Sequence, residues 1–227
     1  PHWKNNLLLG AVCILIPMIG PLLLTGWHTT CLWARGSDDD PVTASPFDFQ
    51  YFTKYLEFGV WPFLVNLTAS LLFIPVTACS MLLMFFLPRI LDHSSGQGMP
   101  PSFFAIFFGI IALQIAMQFI YYILITPLIV SATITQDFKS AFNFNFAKKF
   151  LTRSWKESIT SIIFIGCLGL LALIIMVVTC YVGVLFVMPV VMFSSHHLQK
   201  QLYQLHLERG GEPLPRSPKL LNVQTQS

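Results

Sequence analysis

Thirteen Lys or Arg and ten Asp or Glu among 227 residues leave the chain only 10% charged and 55% hydrophobic, with mean hydropathy +0.68. Soluble domains carry roughly 25% charge, so this composition excludes an ordinary water-soluble fold. A net charge of +3 argues equally against a nucleic-acid-binding surface.

The few charges are clustered. No Asp, Glu, Lys or Arg occurs in 5–34, 58–88, 93–136 or 158–199. About 20 apolar residues cross the hydrocarbon core of a bilayer as a helix, and each of these blocks is long enough. The short alternating segments of a β-barrel are missing. The composition therefore predicts an all-α, polytopic transmembrane helical bundle of about five spans, within a range of four to six.

The first span is predicted over 7–27. Its stretch ILIPMIGPLLLTGW holds Pro17, Gly20 and Pro21, read as a kink of the kind membrane helices tolerate. The block is too long for the apolar core of a signal peptide and is expected to be retained. A polar loop, Arg35 to Ser45, follows. In 46–59 (PFDFQYFTKYLEFG) aromatics alternate with Asp48, Lys54 and Glu57, which predicts an interfacial helix in the headgroup plane.

Span two is predicted over 60–87, bent at Pro75, with Pro62 and Pro88 at its ends. Span three covers 103–130. Next comes an amphipathic basic segment, 138–156, whose Lys148, Lys149, Arg153 and Lys156 are candidate lipid-headgroup contacts. One helix through the block 158–199 would be about 63 Å long, twice the bilayer core. It is expected to fold back at Thr179–Gly183, giving spans over 159–178 and 184–198. The tail, 204–227, is polar and reads as disordered.

Basic loops favour the cytoplasm. That rule places 138–156 and the tail inside, the Arg89–Pro101 loop outside and the start of the chain outside. The five tryptophans, Trp3, Trp27, Trp33, Trp61 and Trp155, fall near predicted interfaces, as in an aromatic belt.

Reactive chemistry is sparse. The predicted spans hold no ionisable acid or cation, the usual mark of a functional site in a membrane. Their neutral polar residues include Asn66, Gln114 and Gln118, the last two on one helix face. Interhelical hydrogen bonds or a polar translocation lining would use them. His196 and His197 are adjacent and His206 is too distant to share their turn, so no metal-ligand spacing arises. The five cysteines form no C-x-x-C pair. No catalytic residue, cofactor or metal is expected.

The run WKNNLLLGAVCILIPMIGPLLLTGW, the later SPFDFQYFTKYLEFG and the closing GVLFVMPVVMFSSHHLQKQLY resemble the prokaryotic membrane family DUF4013 over most of Trp3–Tyr203. The resemblance implies a helical topology in a bacterial or archaeal inner membrane and supplies no catalytic residue. The composite expectation is a multi-pass inner-membrane protein with a cytoplasmic C-terminus. It would be non-enzymatic, a subunit or scaffold whose partners are membrane lipids and other membrane protein subunits. The alternative is a small transporter or channel for a neutral or lipid-like substrate.

Overall fold

A computed structural model describes the backbone of residues 3–34, 47–95 and 101–220, with side chains over 4–33, 47–86 and 104–220. The predicted polar loop Arg35–Ser45 lies outside the described residues. All secondary structure among the described residues is helical: α1 (Trp3–Ile14), α2 (Ile19–Thr29), α3 (Phe52–Ser95), α4 (Pro101–Thr135), α5 (Phe138–Ala141), α6 (Phe144–Val178) and α7 (Val184–Glu208).

The block 7–27 is not one kinked span. Its chain reverses at Leu15–Met18, with Met18 at φ 68°. Leu9 and Cys13 of α1 then pack beside Leu23, Leu24 and Trp27 of α2. The two prolines explain the reversal. Pro17 lies in the turn, where a missing N–H breaks no helical ladder. Pro21 lies in the first turn of α2, where that N–H has no helical partner in any case. The glycines let the arms close: a Cβ on Gly20 would collide with the Cys13 carbonyl.

At the far end of α2, Gly26 meets α3 at Tyr55 and Gly59. There α2 runs antiparallel to α3 and brings the chain back to the level at which it started. Asn6 Oδ1 accepts the Phe47 amide at 3.0 Å, so the start of α1 sits at that level too. We call this end of the molecule the base.

Segment 46–59 does not form a separate in-plane helix. A single 3-10 turn, Phe49–Tyr51, is capped by Asp48, which accepts the Gln50 amide. From Phe52 onward the chain is already α3, which continues through Pro62, Pro75 and Pro88 to Ser95. The alternating aromatics are divided: Phe47, Tyr55 and Phe58 are buried, while Phe49 and Tyr51 are exposed. Residues 96–100, between α3 and α4, lie outside the described residues.

The hairpins α3/α4 and α6/α7 carry the length of the molecule. By rise per residue, α3 is about 66 Å long and α4 and α6 about 52 Å each. At the base, Val130 and Ile134 of α4, Phe146 and Phe150 of α6, and Leu202 and Tyr203 of α7 make one core with Leu32 and Trp33. Away from it the helices are bare: no residue in 71–86 or 104–124 is buried, and in 163–182 only Ala172 is. Three helices, over Phe49–Phe86, Phe104–Thr135 and Phe144–Val178, are long and apolar enough to cross a membrane.

The chain reverses again at Thr179–Gly183 without a proline. Thr179 Oγ1 donates to the Ile175 carbonyl at 2.6 Å and accepts the Gly183 amide at 2.8 Å. Cys180 and Tyr181 both adopt positive φ, conformations that cost a non-glycine residue about 1–2 kcal/mol each. The described part of the tail is ordered against the base. The Leu214 amide bonds Tyr203 Oη at 2.9 Å and the Ser217 amide bonds the Ile134 carbonyl at 3.0 Å. Leu220 is buried on Phe58. Disorder predicted from composition is overridden by these apolar anchors; residues 221–227 lie outside the description.

Candidate functional site

The neutral polar groups singled out by sequence lie along the seam between α3 and α4. Ser80 Oγ donates to Gln114 Oε1 at 2.8 Å. Tyr121 Oη donates to Asn66 Oδ1 at 2.7 Å and stands 2.9 Å from Ser70 Oγ. Gln114 and Asn66 are therefore bonded to the facing helix, an arrangement worth about 0.6 kcal/mol per bond in membrane bundles. Gln118 is exposed and does not join them. None of the three lines the described groove, of about 270 Å³, between α6 and α7. That groove is walled by Glu157, Ser161, Gln201, Gln204 and Glu208, among others.

The four basic candidates sit on α6 at the base, and the structure gives them different roles. Lys148 is exposed. Lys149 pairs with Glu212 at 3.0 Å. The Arg153 carbonyl accepts from Arg209, whose guanidinium also holds both carboxylate oxygens of Glu157. Lys156 lies 5.7 Å from the Trp155 ring centroid, and that ring is exposed. The apolar stripe of this segment is spent on protein: Phe146 and Phe150 are buried against α7. A local break at Ser154 (φ −122°, ψ 22°) separates it from the apolar remainder of α6. The predicted surface helix is thus half a core element.

The base also holds buried imidazoles. His28 of α2 has no exposed surface, and neither ring nitrogen has a hydrogen-bond partner. Its ring centroid lies 5.1 Å from that of His196 on α7 and 5.3 Å from Phe193. His196 Nδ1 bonds the Met192 carbonyl at 2.8 Å. Sequence reasoning passed over His28, although a lone titratable residue in a charge-free block is the signal that marks such a site. No group of three or more His, Cys, Asp or Glu close enough to hold a metal occurs among the described residues.

His206 is a second buried imidazole, packed on Phe146, Phe150 and Tyr203. Burial holds its pKa below the ordinary range; the cations of Arg153 and Lys149 act the same way and the Glu212 carboxylate opposes them.

Two of the five tryptophans leave the expected belt. Trp27 is buried against Phe47 and His28, and Trp33 against Tyr203. They anchor the α1/α2 hairpin to the rest of the base.

No curated protein and no solved structure matches the chain. One family model does match, over residues 9–193: DUF4013, described as a protein of unknown function. That match covers most of this helical chain, which belongs to the DUF4013 family.

Proposed function

We propose that this chain is a multi-pass integral protein of a bacterial or archaeal inner membrane, non-enzymatic, serving as a subunit or scaffold of a larger membrane assembly. In this reading α3, α4, α6 and α7 cross the bilayer and the base, with the C-terminal segment, faces the cytoplasm. The observation that carries it is the bareness of the α3/α4 hairpin. A helix packed within a bundle buries every third or fourth residue, yet 71–86 and 104–124 bury none. Leu72 is 74% exposed. Such a surface is stable only against acyl chains or the apolar face of another subunit.

Charge placement supports the orientation. Lys148, Lys149, Arg153, Lys156, Arg209, Arg216 and Lys219 all belong to the base side, and no residue of 58–88, 93–136 or 158–199 is charged. The rival transporter reading needs a polar lining, and two of its three candidate residues are bonded across a helix seam.

A photo-crosslinking residue at Leu72 or Leu82, activated in native membranes, tests the scaffold reading. A discrete protein adduct at both positions, retained through mild-detergent purification, is the expected outcome. Lipid adducts alone, with recovery of a monomer containing a water-filled cavity, would overturn it in favour of transport.

A further inference from the structure

We propose that α1, the Leu15–Met18 turn and α2 form a re-entrant hairpin. It enters the base-side leaflet, rests its tip among the acyl chains and returns to the base. This inference rests on the integral-membrane reading above. It places the start of α1 on the same side as the C-terminal segment, opposite to the side that charge counting assigned.

Four observations converge. The arms are too short to cross: 12 and 11 residues correspond to about 18 and 16 Å, against a hydrocarbon core of about 30 Å. Both outer ends are tied to the base, one by the bond from the Phe47 amide to Asn6, the other by Trp33 on Tyr203. Exposure is graded along the hairpin. Leu15, Ile16, Met18 and Ile19 at the tip are exposed, whereas Leu23 to Thr29 are all buried in the bundle. An apolar tip projecting from a protein-packed stem suits lipid and is costly in water.

The fourth observation concerns the backbone, because an unbonded amide in hydrocarbon costs several kcal/mol. Around the turn, the Leu15, Ile16, Ile19 and Gly20 amides bond the carbonyls of Val12, Cys13, Pro17 and Ile16, at 2.8–3.2 Å. Pro17 has no amide to satisfy, which leaves the Met18 amide as the turn's one donor without a backbone partner among the described bonds. The stem is fixed laterally by Gly10 against Pro189 of α7: a Cβ there would stand 2.9 Å from the proline Cβ.

Membrane-impermeant maleimide labelling of single-cysteine variants tests this. Native Cys180, exposed in the α6–α7 turn, serves as the far-side reference and Lys219→Cys as the base-side reference. Asn5→Cys reports the start of α1; Met18→Cys and Leu15→Cys report the tip, the second in case Met18, at positive φ, tolerates no change. Each variant is first checked for monodisperse elution in detergent.

Cys180 is expected to label in intact cells. Asn5→Cys is expected to label only after permeabilisation, together with Lys219→Cys. The tip cysteines are expected to resist in both states and react after detergent solubilisation. Labelling of Asn5→Cys in intact cells beside Cys180 would make the block a true crossing and overturn the hairpin alone. Tip cysteines reactive in permeabilised cells would put the tip in water. Cys180 and Lys219→Cys reacting on one side would instead sink the membrane reading, and the hairpin's seat in a leaflet with it.

Discussion

Gly26 and Gly59 mark the place where α2 and α3 touch backbone to backbone. A Cβ on Gly26 would overlap the Tyr55 carbonyl, and one on Gly59 the Leu22 carbonyl. Neither neighbour is a flexible side chain that can swing aside, so relief requires the helices to separate. Gly26→Ala is expected to destabilise by about 1–3 kcal/mol, read as a lower melting temperature in detergent, whereas Gly109→Ala, with open space around it, is expected to leave melting unchanged. At the other side of the base, His206 is held neutral by its burial. Its folded-state pKa lies below the unfolded value of about 6.5, so the unfolded chain takes up the proton first and stability falls as pH drops below about 6.5. His206→Phe keeps the packing on Phe146 and Phe150 and loses no hydrogen bond at Nδ1, which has none. Its melting temperature is expected to change less between pH 7.5 and 5.5 than that of the parent. Equal pH slopes would show that His206 does not titrate in this window. Gly26 was legible in sequence as a point of close helix approach, but not which helix approaches; the burial of the His206 imidazole was not legible, because it depends on a tail folding back.

Elements were more legible than residues, and the failures have specific causes. Charge-free blocks located α3, α4 and α6, because hydrocarbon solvation excludes charge whatever the tertiary packing. The turn at Thr179–Gly183 follows from length alone, although its mechanism, a threonine hydroxyl bridging two backbone groups, does not. The block 7–27 misled because a kink and a reversal use the same residues, proline and glycine; the difference rests on the positive φ of Met18 and on which neighbours receive each arm. Segment 46–59 misled because its aromatics suit an interface and a helix start equally well. The α3/α4 seam supplies an element-scale test. Ser80→Ala with Gln114→Ala in a double-mutant cycle is expected to give a coupling of about 0.6 kcal/mol, read from equilibrium unfolding in detergent. A coupling indistinguishable from zero would mean that apolar packing alone holds the hairpin.

At the scale of the whole molecule the chain divides into a packed base and two bare hairpins. All three described ion pairs, Lys149–Glu212, Arg209–Glu157 and Lys219–Glu57, belong to the base. They are exposed and worth at most about 1 kcal/mol each; their weight is in fixing the tail against α3 and α6. The base is built from residues far apart in sequence, which is why composition revealed the apolar hairpins but not the ordered tail or the imidazoles beneath it. In the membrane reading the bare stretches lie in the hydrocarbon, against acyl chains wherever no other subunit covers them, as in the chain reconstituted alone. The most direct measurement is collisional accessibility of a spin label at Leu82→Cys, reconstituted in liposomes, to oxygen and to a water-soluble nickel chelate. High oxygen and negligible nickel accessibility is the predicted result. A label quenched by nickel as strongly as one at Lys219→Cys would place α3 in water and contradict the account.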